Sequence, residues 1–494
     1  VGIIEKQATK NAILSYAGAF LGFITVMWTA HSLDLAQNGV IRLLISYAAL
    51  FAQFANLGFT SVTSRFFPYF RDKDKGHHGF LFYAIIVTLI GFILCAIIFM
   101  FLQPNLIENN EKKSPLFSTY LFYLLPLTLF TVFFNVFDSY LRAGYNSVAG
   151  SLTKEFIQRI LILIALLLYS LSFIEFKLFI FLYILFTCSP TLMLVFYIVK
   201  QKEWHIKPVK GFIGKELRTE MIRHGIYSIV AGSAVAIISN IDAIMVNWLL
   251  GEEKTGVYGI AFYFGTIILI PARSLYRIMS SIVAENFKSD KIEEIHRLYK
   301  MSCNSQLAIG SLLFIGIVSN IDNIMNLLPP EFSSGKYVIL IISGGYLIEM
   351  ATGINQVIIV NSKYYKFDAY FVFCIVGVTV LLNYILIPIY GITGSAMATA
   401  GTVLIGNSLR YSLLFIKFKM QPFTINTIKL TGIAIVSLLP GLFIPYLYNL
   451  YIDIAVRSGI VAAIFIFLIL KLEAAPELNN KIRKNLKRLH IDFL

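Results

Sequence analysis

Phe80-Leu-Phe-Tyr-Ala-Ile-Ile-Val-Thr-Leu-Ile-Gly-Phe-Ile-Leu-Cys-Ala-Ile-Ile-Phe-Met-Phe-Leu102 runs through 23 residues without a charge. About 20 apolar residues in a helix cross a hydrocarbon layer ~30 Å thick, so this stretch is long enough to span a membrane. Similar stretches fill the chain on both sides of it. They predict about fourteen spans, near residues 11–33, 39–57, 80–102, 116–141, 149–171, 175–199, 225–250, 256–283, 303–327, 337–361, 367–387, 394–416, 428–450 and 455–472. The expected fold class is an all-α polytopic membrane protein.

Composition excludes a soluble protein. With 57% hydrophobic and 14% charged residues there is too little polar surface to face water. The net charge of +14 is spread along the chain rather than gathered on one module, so lipid headgroups explain it and nucleic acid is not an expected partner. Cys95, Cys188, Cys303 and Cys374 stand singly within spans and read as small apolar residues, with no disulfide or metal spacing.

The cations alternate with the spans. Taking the N-terminus and every second connection as one side, that side carries 31 of the 41 Lys and Arg residues, including Arg142, Lys154 and Arg159, seven between Lys200 and Arg223, and a tail from Lys471 to Arg488. The other side has six, Arg457 among them, and Arg42, Arg273, Arg277 and Arg410 fall inside spans. The positive-inside rule then puts both termini in the cytoplasm.

The longest polar connection, 200–224, divides an N-lobe of six spans (1–199) from a C-lobe of six (225–416), followed by two further spans (417–472) and a basic tail (473–494). An offset of 217 residues superposes Gly39-Val40 on Gly256-Val257, Ser64 on Ser281 and Phe70-Arg71 on Phe287-Lys288. Trp28 and Trp248 both sit near the outer end of the first span in their half, where aromatic anchors belong. Two pseudo-symmetric lobes around a central cleft are the expected architecture.

Asn240-Ile-Asp-Ala-Ile-Met-Val-Asn-Trp-Leu-Leu-Gly251, running into Gly256-Val-Tyr-Gly-Ile-Ala-Phe262, resembles the seventh and eighth helices of polysaccharide flippases. These lipid-linked oligosaccharide (Wzx-type) flippases belong to the multidrug, oligosaccharidyl-lipid and polysaccharide exporter superfamily. Gly391-Ile-Thr-Gly-Ser-Ala-Met-Ala-Thr-Ala400 is similar to the segment entering their twelfth helix, and Asn361-Ser-Lys-Tyr-Tyr-Lys366 to the basic turn after the tenth. The resemblance covers the chain in layout, and fourteen spans favour the lipid-linked-sugar branch over the twelve-span drug branch. It implies transfer of an undecaprenyl-pyrophosphate-linked glycan from the cytoplasmic to the outer leaflet of the bacterial inner membrane. A polysaccharide polymerase and a chain-length regulator are the protein partners to expect.

Charges at mid-membrane cost about 2.5–3.5 kcal/mol on insertion scales and normally face a wet cavity or a partner. Span eight aligns Gly259, Thr266, Arg273, Arg277 and Ser280 on one helical face. Span two aligns Arg42, Ser46, Ala49, Gln53 and Asn56, and spans one and four add stripes through Asn11, Thr25 and Thr29 and through Thr128, Asn135, Asp138 and Arg142. A cationic cleft formed by these stripes suits a pyrophosphate, because guanidinium forks bind phosphate oxygens bidentately. Arg42, Arg273, Arg277, Gln53, Asn56 and Thr25 are the candidate binding residues.

Such stripes are also how membrane helices approach each other, and Arg42 lies near enough to a span end to snorkel. Asp242, Glu349 and Asp138 are candidates for H⁺ or Na⁺ coupling. The alternative for Asp242 and Glu349 is an ion pair with an arginine of span eight, and for Asp138 a same-helix pair with Arg142.

No histidine lies deep in a span and no phosphate-cradling GxxxxGK[ST] motif occurs, so the residues for metal catalysis and ATP hydrolysis are missing and no cofactor or enzyme activity is expected. A cation-coupled drug antiporter is the nearest rival, although arginines in the cleft oppose organic cations. A membrane polymerase or glycosyltransferase is a remoter one, since the longest outer connection, 103–115, offers only Glu108, Glu111, Lys112 and Lys113 as charged groups.

Overall fold

Backbone N–H and C=O groups find no water inside hydrocarbon, so a chain this apolar satisfies them within helices. The computed structural model describes residues 2–479 apart from Lys210, with the side chains of 2–9, 11, 12, 231, 274 and 277 outside that description, and the described residues contain helices and no strand. The side chains of Asn11 and Arg277 and the basic tail beyond residue 479 therefore lie outside the described residues. Two compact units divide the chain, Val1–Gly259 and Ile260–Leu494.

The first unit holds α1 (Gly2–Ser32), α2 (Leu35–Ala55), α3 (Phe59–Phe70), α4 (Phe80–Asn110), α5 (Pro115–Tyr120), α6 (Leu124–Ala143), α7 (Val148–Ser151), α8 (Gln158–Ser170), α9 (Phe176–Lys200), α10 (Lys215–Leu250) and the start of α11 (Glu252–Thr266). Helix α2 lies at its centre, packed on α4, α6 and α10. A capping box starts it: the Asp34 carboxylate accepts from the Gln37 N–H at 2.7 Å and the Asp34 N–H donates to the Gln37 side chain at 3.3 Å. Leu57 and Gly58 end it with φ of 47° and 71°. A Cβ at position 58 would sit 2.3 Å from the Gly225 carbonyl oxygen, so the close approach as well as the backbone angle calls for glycine.

Gly39 and Gly256, the pair matched by the 217-residue offset, both serve close approach in this unit. A Cβ on Gly256 would lie 2.1 Å from the Leu35 carbonyl oxygen and 3.0 Å from the Gly39 nitrogen, while one on Gly39 would lie 1.9 Å from the Glu252 carbonyl oxygen. The two glycines matched by the 217-residue offset are where the first turns of α2 and α11 touch.

The second unit holds the rest of α11, then α12 (Ile270–Lys288), α13 (Ile292–Ser319), α14 (Ile321–Asn326), α15 (Lys336–Ala351), α16 (Asn355–Asn361), α17 (Tyr365–Tyr390), α18 (Ile392–Phe418), α19 (Ile425–Phe443) and α20 (Leu450–Leu472). Helix α18 packs on α15 and α17, and α13 packs on α15, α19 and α20. Arg457, which charge alternation assigns to an outer connection, is instead buried within α20 and grips Asp453 through Nε and a terminal nitrogen at 3.0 and 3.1 Å. The same arginine donates to the Gly441 carbonyl of α19, and Asn323 donates to Asp453, so one buried ion pair joins α14, α19 and α20.

All fourteen expected segments are helical, but among the described residues eleven helices are long and apolar enough to cross a membrane, or twelve if a bent pair counts as one span. The fourteen spans of the sequence reading are thus not confirmed as a count. The expected span 337–361 is the bent pair, with 52° between its halves. The break falls at Gly353, where φ is 62° and a Cβ would meet the Cys303 sulfur at 2.6 Å. The expected span 149–171 is interrupted by a π-helical stretch, Leu152–Ile157.

Candidate functional site

Arg42 emerges from the second turn of α2, half-buried, and its aliphatic stem runs along α11 at Gly259, where a Cβ would come within 3.2 Å of Cγ. The stem therefore packs on protein. Arg42 and Arg159 both lie within electrostatic reach of the buried Tyr183 hydroxyl on α9. Gln53, three turns along α2, sits against Gly232 of α10, where a Cβ would meet its amide nitrogen at 2.2 Å. Asp242, buried on α10, accepts from the Tyr258 hydroxyl of α11 at 3.2 Å. Three sequence candidates thus lie where α2, α10 and α11 meet one another.

Two others make local hydrogen bonds. Asn56 donates to the Thr60 hydroxyl at 2.8 Å and accepts from the Thr60 N–H at 3.1 Å, which caps the break between α2 and α3. Thr25 donates to the Leu21 carbonyl of its own helix at 2.8 Å.

A denser charged cluster surrounds Asp138 of α6. Its carboxylate pairs with Arg142 at 2.8 Å and has Lys154 and Glu155 within electrostatic reach. Gly150 makes room for that carboxylate, since a Cβ there would stand 1.8 Å from Oδ1. Lys154 also lies 4.6 Å from the centre of the Phe134 ring, a cation–π contact. Glu155 packs on Gly18 of α1, whose carbonyl accepts from Arg159.

The same-helix pair of Asp138 with Arg142 is present, but it belongs to a cluster spread over three segments. Counting Lys154 and Arg159 among loop cations missed this. The available signal was their position inside the expected span 149–171, and the π-helical stretch, a feature that often marks functional sites, presents Lys154 and Glu155.

In the second unit Glu349 of α15 is half-buried, with Arg410 of α18 and the exposed Arg273 of α12 within electrostatic reach. Arg410 also pairs with Asp368 of α17 at 3.1 Å, and Asp368 accepts from Gln356 of α16 at 3.3 Å. Beside them, Asn407 of α18 accepts from Thr352 and Asn355, each at 2.8 Å, across the kink after α15. Arg410 was legible as an intramembrane charge, but its partner Asp368, the second residue of the expected span 367–387, was not singled out. Among the described residues no group of three His, Cys, Asp or Glu side chains is arranged to hold a metal ion.

A family model described as polysaccharide biosynthesis protein matches residues 6–275. No curated protein sequence matches the chain. Among solved structures, the lipid II flippase MurJ in an inward closed conformation superposes with a TM-score of 0.74 at 15% identity, covering 93% of this chain and 97% of that one. An inward-facing multidrug resistance transporter of the MATE family gives 0.54 at 14% identity, covering 86% and 99%. A mutant form of the Vibrio cholerae MATE transporter VcmN gives 0.56 at 13% identity, covering 84% and 98%. At these identities the likeness establishes the fold, that of a multi-pass membrane protein.

Proposed function

Because the chain belongs to the polysaccharide biosynthesis protein family, we propose that it flips an undecaprenyl-pyrophosphate-linked oligosaccharide repeat from the cytoplasmic to the outer leaflet of the bacterial inner membrane, for surface polysaccharide assembly. The observation that carries this reading is Arg42, a half-buried arginine of the first unit whose aliphatic stem packs along α11. Guanidinium forks bind phosphate oxygens bidentately, so a diphosphate suits a cation at that position. Arg42 is proposed to contact the diphosphate, with Gln53 as a neutral contact, and Arg273 and Arg277 are further proposed phosphate-binding residues. The prenyl tail stays in lipid while the protein alternates its access between leaflets. Both termini are placed in the cytoplasm, and a polymerase and a chain-length regulator are proposed partners.

Glu349, between Arg410 and Arg273, is proposed as the coupling carboxylate, able to neutralise those cations when no cargo is present. Asp242 and Asp138 are the other coupling candidates. A cation-coupled drug antiporter would also use such carboxylates and shares the fold of the solved MATE structures.

Leaflet-resolved labelling of lipid-linked glycan, in cells depleted of the protein and complemented by variants, tests the proposal. Charged hydrogen bonds are worth about 1.5–3 kcal/mol, so Arg42→Ala and Arg273→Ala should each slow flipping roughly 10- to 100-fold and trap glycan on the cytoplasmic leaflet. Unpolymerised repeats already on the outer leaflet in depleted cells would assign the chain to polymerisation instead. Loss of drug resistance with normal glycan distribution would favour the antiporter.

A further inference from the structure

A cavity of about 560 Å³ opens in the first unit, within the ~300–1,000 Å³ range of small-ligand sites and separate from Arg42. Its wall is made by Tyr145 and Asn146 in the turn after α6, Tyr197 and Gln201 at the end of α9, and Lys73 with Glu203 in the connections beyond α3 and α9.

This wall is organised. The Tyr197 hydroxyl accepts from the Asn146 amide at 2.6 Å and from the Gln201 amide at 3.0 Å, which fixes both carboxamides. Among the described residues the oxygens of those two carboxamides take no protein donor, and the Tyr197 hydroxyl keeps a proton to give. Tyr145 holds φ at 63°, a left-handed conformation costly for a bulky residue. Arg71 secures it, donating to its hydroxyl at 2.6 Å with the guanidinium 4.1 Å from the ring centre, yet the side chain remains 59% exposed.

The charges on this wall are largely spoken for. Lys73 pairs with Glu203 at 3.3 Å, and Arg71 also donates to the Ala143 carbonyl at 2.7 Å. Lys10 of α1 is the further cation on the lining. A phosphate site would present guanidiniums free to fork onto oxygens. Fixed carboxamides, a carboxylate, a phenol and an exposed aromatic ring suit a neutral ligand rich in adjacent hydroxyls.

We infer that this cavity is a saccharide subsite that takes sugar residues of the cargo before it crosses the membrane. The inference rests on the proposed function for the identity of that sugar, and assigns its recognition to residues apart from the diphosphate cations. It makes Asn146, Tyr197, Gln201 and Glu203 determinants of which repeat unit is accepted.

The test uses the full chain in lipid nanodiscs and, as probe, the repeat oligosaccharide released by mild acid from the host's polyprenyl-linked precursors. Saturation-transfer NMR should detect binding to the wild type. Asn146→Ala and Glu203→Gln should each weaken it at least about fivefold, the worth of one net hydrogen bond. Tyr197→Phe, which removes a single oxygen and keeps the packing, should do the same and guards against a misfolded variant.

Absence of wild-type binding, or binding unchanged in all three variants, overturns the inference. So does loss of the signal when the nanodisc lipid is changed from phosphatidylcholine to phosphatidylglycerol, which would assign the cavity to lipid headgroups. Arg42→Ala should retain oligosaccharide binding while flipping falls, so failure of the flippase reading and failure of this one give different results.

Discussion

Residue by residue, the first unit is governed by how closely backbones approach and what that leaves for charged side chains. Gly39 and Gly256 allow the first turns of α2 and α11 to touch, and Gly150 admits the Asp138 carboxylate. Gly256→Ala places a Cβ 2.1 Å from a backbone oxygen that has no rotamer to move, and overpacking of this kind costs about 1–3 kcal/mol. Thermal unfolding of the purified protein should show the loss, and an unchanged midpoint would mean that the two turns separate freely. The charges at Arg42 and Arg273 were legible in sequence because a cation inside an apolar stretch stands out. The cluster of Asp138 with Lys154 and Glu155 was not, because residues near a span end read equally well as loop.

At the scale of elements, breaks in helices do as much as their lengths. The α2–α3 break combines two left-handed residues with the Asn56 cap, so Asn56→Ala should cost about 1 kcal/mol of stability rather than abolish transport. A large transport defect at unchanged stability would return Asn56 to the binding residues. The kink at Gly353 and the π-helical stretch Leu152–Ile157 both lie within expected spans. Apolar content located those spans, but it carries no record of where a helix bends or admits an extra residue. The span total consequently falls short of fourteen by length and composition, although every expected segment is helical.

For the whole molecule, two consequences are open to measurement. Arg457→Leu leaves the Asp453 carboxylate buried without its cation, and breaking a buried pair in this way costs about 3–5 kcal/mol. The unfolding midpoint should drop sharply, and a neutral effect would show that α19 and α20 are held by apolar packing alone. If an anionic headgroup moves outward, each charge carried through 100 mV is worth about 2.3 kcal/mol, or roughly 50-fold in the final distribution. Proteoliposomes with an imposed potential should show flipping rise with that potential when it is negative on the cytoplasmic side. Indifference to potential would separate charge movement from the transport step.

Sequence alone determined that the chain is helical and multi-pass, because a continuous apolar run of about 20 residues crosses hydrocarbon as a helix that satisfies its own backbone. It also marked Arg42, Arg273 and Arg410 as charges with a solvation cost to repay. Tertiary structure supplied partners that the sequence does not name, Asp368 for Arg410 and Asp453 for Arg457, and it pairs Asp138 with Arg142. It also brought Tyr145, Asn146, Tyr197 and Glu203 around one cavity from two connections and the end of α9. Pairings between residues far apart in the chain depend on which helix faces meet, and one-dimensional periodicity gives each face without naming its partner.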